Sequence, residues 1–152
     1  MKRELILASA SPRRKELLGM LTDDFRIVVS DVEEKVNVNH SKPAIVRALA
    51  LKKARAVSRR YPEAVVLGAD TIVVVDDQIL GKPHSREEAI HMMQLLRNRA
   101  HKVITGVAVI SPDTAVNFSD TSIVHFHDIS DAEIIRYADT AEPYDKAGGY
   151  AI

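Results

Sequence analysis

The chain has 152 residues, 46% hydrophobic and 28% charged, which supplies one ordinary globular core and favours one domain over two. Its 21 basic and 21 acidic side chains cancel, excluding a global field of the kind that draws proteins onto nucleic acid or anionic lipid, so any anion site is local. There is no cysteine, hence no disulfide framework, thiolate metal site or cysteine nucleophile, and a cytoplasmic setting is expected.

Met1-Lys2-Arg3 precede the apolar run 5–8, but that run is too short for a secretory signal and Arg13 and Arg14 soon follow, so it reads as a first strand. No stretch approaches the roughly 18 apolar residues that span a bilayer, and no membrane role is expected. Ser11 caps a helix with Pro12 at its first position, and Leu17, Leu18 and Leu21 form its buried stripe. Residues 25–30 read as a strand and 31–39 as a polar loop carrying Glu33 and Glu34. Ser41 and Pro43 open a second helix, whose stripe Val46, Leu49, Lys53 and Val57 contains one charge.

Residues 65–75 are the most apolar stretch, rich in β-branched side chains, as a strand covered on both faces requires. Asp76-Asp77 turns the chain into a short strand at 78–80, which ends at Gly81-Lys82-Pro83. Ser85 with Glu88 forms a capping box for a helix to about residue 97. Residues 103–110 and 115–127 alternate like strands around Ser111-Pro112-Asp113, and His125 and His127 share a face of the second. Ser130 and Glu133 repeat the capping box and start a last helix through about residue 139. The order β-α-β-α-β-β-α-β-β-α predicts an α/β fold with a mixed sheet, in one domain over 1–152. Tyr150-Ala151-Ile152 look like the opening of another strand, which leaves two readings: a natural end, or a chain truncated at its C-terminus.

A turn from strand into helix aims unpaired backbone N–H groups and the positive end of the helix dipole at whatever lies before it, a position that suits phosphate. Ser9 and Ser11 add hydroxyls, and Arg13 and Arg14 add planar charged forks; the other reading is a solvated basic first turn. Asp70 lies in the middle of the apolar strand, where an ionised carboxylate costs several kcal/mol unless cations or donors compensate it; the other reading is an aspartate at a strand end hydrogen-bonded to a neighbouring loop. Gly68 and Ala69 let another group approach closely, and Thr71 adds a hydroxyl. Lys53 on its stripe and Lys82 in its corner also read as ordinary solvated lysines. In the run 142–149, Gly148-Gly149 frees backbone N–H groups beside the opposite charges Asp145 and Lys146. The six histidines show no ligand spacing, and neither a Walker loop nor a dinucleotide fingerprint is present.

The ordered blocks Ser-Ala-Ser-Pro-Arg-Arg-x-Glu-Leu-Leu (9–18), Val-Glu-Glu (32–34), Lys-Ala (53–54), Gly-Ala-Asp-Thr (68–71), Gly-Lys-Pro (81–83), Thr-Gly-Val (105–107) and Glu-Pro-x-Asp-Lys-Ala-Gly-Gly-Tyr (142–150) span the whole chain. In these the chain resembles the Maf proteins, nucleoside triphosphate pyrophosphatases also described as septum-formation inhibitors. The resemblance implies a mixed, elongated central sheet flanked by helices, with an active-site cleft, of the Maf and ITPase-like kind. It implies hydrolysis between the α- and β-phosphates with Mg²⁺ or Mn²⁺. Asp70 would be the catalytic carboxylate, with Glu34 assisting it at the metal. Ser9, Ser11, Arg13, Arg14, Lys53, Thr71, Lys82, Asp145 and Lys146 would bind the substrate.

Arg13 and Thr71 look like the branch acting on dTTP and UTP; a sister branch prefers 7-methylguanosine or cytidine triphosphates. Family members continue past the position of Ile152 with a glutamine that also marks the branch, then a strand and helix. A homodimer is implied, and DNA binding is not. The family's older name implies a second class of function, a nucleotide-binding regulator of cell division without turnover.

Overall fold

A computed structural model describes residues 2–32 and 39–150. In chain order it contains β1 (Leu5–Leu7), α1 (Pro12–Gly19), β2 (Arg26–Ile27), α2 (Lys42–Arg60), β3 (Val65–Val75), β4 (Gln78–Leu80), α3 (Arg86–Leu96), β5 (Ala100–Ile110), β6 (Ala115–His125) and α4 (Asp131–Ala138). Two 3-10 turns, Glu142–Asp145 and Ala147–Gly149, follow. The strands form one six-stranded sheet in the order β2-β1-β3-β5-β6, with β4 paired to β3 off this path. The sheet is mixed: β1 runs parallel to β2 and β3, whereas β4 runs antiparallel to β3.

Each helix begins where a serine hydroxyl takes over an unsatisfied backbone donor. Ser11, Ser41, Ser85 and Ser130 accept from the amides of Arg14, Ala44, Glu88 and Glu133 in turn. Asp76 and Asp77 both have positive φ, 51° and 60°, the backbone a two-residue hairpin loop needs between right-twisted strands.

Some local expectations give way. Of residues 25–30 only Arg26–Ile27 form a strand, paired with Ile6 and Leu7 of the three-residue β1. Leu17 and Leu21 are exposed rather than buried, and only Leu18 of the expected stripe packs inward. α1 ends at Gly19, so Leu21 lies past the last turn and leaves the helical face. β5 begins at Ala100, earlier than the apolar pattern predicts, and β6 ends at His125, so His127 does not share a strand with it.

The chain divides into two compact units, Met1–Asp70 with Thr105–Asp120, and Thr71–Ile104 with Thr121–Ile152. The first has a core of Ile6, Ala8, Ala50, Ala54, Val57, Ala64, Val66 and Ala108. At two points here α2 lies backbone to backbone against the sheet. A Cβ on Gly68 of β3 would stand 2.7 Å from the Ala50 carbonyl oxygen, and one on Gly106 of β5 would stand 2.1 Å from that of Val46. The second unit has its own core of Val73, Val75, Leu80, Met92, Met93, Leu96 and Ile134.

Because backbone cannot yield as a flexible side chain can, Gly106→Ala is expected to destabilise the chain by roughly 1–3 kcal/mol or more. Gly19→Ala, which meets nothing within 4 Å, should be close to neutral. Denaturant unfolding of the two variants against the parent chain checks this, and equal midpoints would contradict it.

Candidate active site

In the first unit, strand register sets two groups of predicted residues side by side. β1 pairs with β3 at Leu7↔Leu67, and the Ala8 amide still donates to the Leu67 carbonyl at 2.8 Å. Continuing that register, Ser9 leaves the sheet level with Ala69, one residue before Asp70. Ser9 is buried, and its Oγ accepts from the Ser11 amide and from Arg14 Nη1, both at 3.2 Å. Ser11 caps α1 through the Arg14 amide at 3.3 Å, which leaves both serine O–H groups able to donate. Arg14 is half-buried against Ser9, whereas Arg13 is exposed on the first turn. The turn gathers a helix N-terminus, two hydroxyls and two guanidinium groups, donors of the kind that can hold an anion.

Val66, Gly68 and Asp70 alternate onto one face of β3. Gly68 on that face meets Ala50 and Ala54 of α2, and one residue before Ala54 the Lys53 side chain reaches forward. Its Nζ donates to Asp70 Oδ1 at 2.7 Å, with the two side chains 13% and 12% exposed. The charge on the helix stripe and the charge inside the apolar strand, odd when read separately, thus form one pair. Removing one partner of such a buried pair typically costs about 3–5 kcal/mol, because the other charge stays desolvated.

The second unit holds other predicted residues. Thr71 is half-buried at the start of this unit's part of β3, and Lys82 is exposed in the Gly81-Lys82-Pro83 corner beside buried Pro83. The Gly148 amide donates to the Gly81 carbonyl at 3.0 Å. Gly148 has φ +69°, and a Cβ there would stand 2.9 Å from Val73, so only glycine fits both the backbone and the space. Lys146 turns its ammonium into its own block, donating to the Glu142 carbonyl at 2.6 Å, to Asp145 Oδ1 at 2.9 Å and to Glu142 Oε2 at 3.3 Å. The hydrogen bond from Lys146 holds the Asp145 carboxyl below its usual range, and the charge of Lys82 adds a smaller push.

Glu34, with Glu33, lies outside the described residues. Among the described residues no group of three or more histidine, aspartate and glutamate side chains gathers to hold a metal.

The second unit also holds a buried cluster that the sequence pattern does not announce. His101, 3% exposed, shares a hydrogen bond with Tyr150 Oη and stands edge-on to Phe126 and Tyr150, with ring centroids 5.1 and 5.3 Å away. Among the described residues its buried Nδ1 has no partner. Burial, with Arg99 adding to it, lowers the His101 pKa, and burial pushes the Tyr150 hydroxyl up to about 12. Tyr137 Oη donates to the Gly149 carbonyl at 2.8 Å. The signal available was polar: His101 sits at the start of a strand whose apolar alternation is visible only from Val103.

The fold and this pairing define a mixed α/β protein with a serine–arginine loop level with a lysine-compensated strand carboxylate. The same fold is seen in the structure of the Staphylococcus aureus Ham1 protein, with a TM-score of 0.55 over 85% of this chain and 73% of that one at 17% identity. The model of the Maf-like protein family matches residues 4–152, and the chain belongs to that family. It is 50% identical over its full length to a Bacillus velezensis protein named dTTP/UTP pyrophosphatase, covering 80% of that relative. A Bacillus cereus protein of the same name is 48% identical over 150 residues, 99% of this chain and 78% of its own.

Since His101 is held neutral by burial, the unfolded chain binds a proton near pH 6.5 that the folded chain resists. The stability contributed by a neutral, buried His101 should therefore be fully present above pH 6.5 and be lost as pH falls from there through the lowered folded-state pKa. Urea unfolding at stepped pH should show this slope in the parent chain and a shallower one in His101→Gln. Equal slopes would contradict the assignment.

Proposed function

We propose that the chain hydrolyses dTTP and UTP to the monophosphate and pyrophosphate. The observation that carries the reading is the buried Lys53–Asp70 pair, level with the serine–arginine loop, in a chain half identical to proteins named for that activity. The transferred group in such chemistry is a phosphoryl centre crowded with negative oxygens, so positioning and charge neutralisation matter more than a protein nucleophile.

In this reading Asp70 accepts a hydrogen bond from a water and aims its oxygen at the α-phosphorus. The new P–O bond forms as the bond from the α-phosphorus to the bridging oxygen breaks. Pyrophosphate departs with that electron pair, and the proton of the attacking water passes through Asp70 to solvent. Lys53, already hydrogen-bonded to Asp70, fixes the carboxylate and shares its charge with the phosphates. Arg13, Arg14 and the N-terminus of α1, with the Ser9 and Ser11 hydroxyls, take up the charge of the phosphate chain, and Lys82 takes up that of the leaving pyrophosphate. Asp145 and Lys146 complete the substrate-binding set, and Arg13 with Thr71 sets the pyrimidine preference.

A carboxylate is a hard oxygen donor, and Mg²⁺ is commonly held by only one or two carboxylates together with substrate phosphates, so Asp70 with Glu34 suits a divalent metal. Bound there, Mg²⁺ or Mn²⁺ would lower the charge density on the phosphates. The reading extends to a homodimer, supported by the family resemblance, and to a cytoplasmic setting, which the absence of cysteine suits.

The test is pyrophosphate release from dTTP, UTP, CTP and 7-methyl-GTP with Mg²⁺ or Mn²⁺. dTTP and UTP should be preferred, and Asp70→Asn should lower kcat by roughly 10²–10⁴-fold. Orthophosphate as the product, or an undiminished Asp70→Asn enzyme, would overturn the proposal.

A further inference from the structure

We propose that Tyr137 is a positioning residue for Lys82, acting through the paired glycines Gly148 and Gly149. The inference rests on the reading of Lys82 as a phosphate-binding side chain.

Lys82 is exposed, so packing along its stem does little to fix the ammonium. Its aim depends on the backbone of the corner that carries it. On one side Pro83 is buried and limits φ. On the other, the Gly81 carbonyl accepts from the Gly148 amide at 3.0 Å, while the space around the Gly81 α-carbon is open. The corner is therefore referenced to the glycine pair. That pair is held from three directions: Val73 stands behind Gly148, the Gly149 amide donates to the Lys146 carbonyl at 2.9 Å, and the buried Gly149 carbonyl accepts from Tyr137 Oη at 2.8 Å. Gly148 and Gly149 have φ of +69° and +82°, a run that other residues rarely adopt and that needs outside contacts to persist.

Of these supports only the Tyr137 hydroxyl is a side-chain group that can be deleted without altering backbone or volume. Its loss leaves a buried carbonyl without this donor, and the glycine pair relaxes toward whatever can replace it. The Gly148–Gly81 bond moves with it. Lys82 then samples a wider range and meets the leaving phosphates less often, which weakens substrate binding more than the chemical step.

The experiment compares the parent chain with Tyr137→Phe, Lys82→Ala and the double variant. Steady-state kinetics with dTTP, thermal unfolding and hydrogen exchange at the Gly148 amide are measured on each. Tyr137→Phe should raise KM about five-fold and leave kcat within about two-fold, the pattern of lost uniform binding after removal of one hydrogen bond. It should speed Gly148 exchange, and it should add nothing to KM once Lys82 is alanine. An unchanged KM, a loss confined to kcat, or an effect that adds in full to that of Lys82→Ala would overturn the proposal. If the parent chain releases no pyrophosphate, the functional reading itself fails. The same four chains are then compared for binding of inorganic pyrophosphate by calorimetry, where the same non-additive pattern in Kd supports the link from Tyr137 to Lys82 and its absence overturns it.

Discussion

The first unit depends on a close approach of backbone to backbone. α2 rests on β3 and β5 at Gly68 and Gly106, where the Ala50 and Val46 carbonyls occupy the room a Cβ would need. A helix that close to a sheet has a short lateral gap to bridge, and a lysine on its buried stripe can place its ammonium on a strand carboxylate two residues past the glycine. Lys53 and Asp70 meet for that reason. A bulkier residue at either glycine would lift the helix and leave both charges buried at a distance, where attraction no longer offsets desolvation. Packing and candidate chemistry are thus one constraint. The residues that look wasteful for stability, two glycines inside strands and two charges inside a core, become consistent only when taken together.

The second unit reaches a similar end by another route. There the backbone groups that must be satisfied belong to a short run of 3-10 turns, which lacks the regular ladder of a sheet or helix. Side chains do the work: Lys146 gathers Glu142 and Asp145, Tyr144 donates to the Ala138 carbonyl, Tyr137 to Gly149, and Tyr150 pairs with His101. Tyrosine suits the task because its ring adds to the apolar core while its hydroxyl closes a polar contact. A segment fixed by such single contacts is more sensitive to removal of one hydroxyl than a helix is to a surface change.

Much of this was readable in the chain itself. The four serine caps announce the helix starts, the two aspartates after Val75 announce the hairpin, and the β-branched run announces the central strand. The mixed α/β class follows from their order. Asp70 and Lys53 each stood out because a charge in an apolar pattern calls for a reason. Their partnership did not, since pairing across 17 residues depends on how far the helix sits from the sheet, and that distance is set by Gly68 and Gly106 jointly. The short β2 and the exposed Leu17 and Leu21 are not legible for a related cause: local apolarity does not say where a strand or a helix stops. His101 escaped notice because burial of a polar ring depends on Phe126 and Tyr150, both distant in sequence. Glu34 lies outside the described residues, and the role proposed for it rests on the family pattern alone.

In the proposed reaction, water aimed from Asp70 attacks the α-phosphorus of a pyrimidine nucleoside triphosphate. Turnover of dTTP in water enriched in ¹⁸O, followed by mass spectrometry of both products, tests this. Attack at the α-phosphorus should leave one ¹⁸O in the thymidine monophosphate and none in the pyrophosphate. Label in the pyrophosphate, or in orthophosphate, would place the attack on another phosphorus and contradict it.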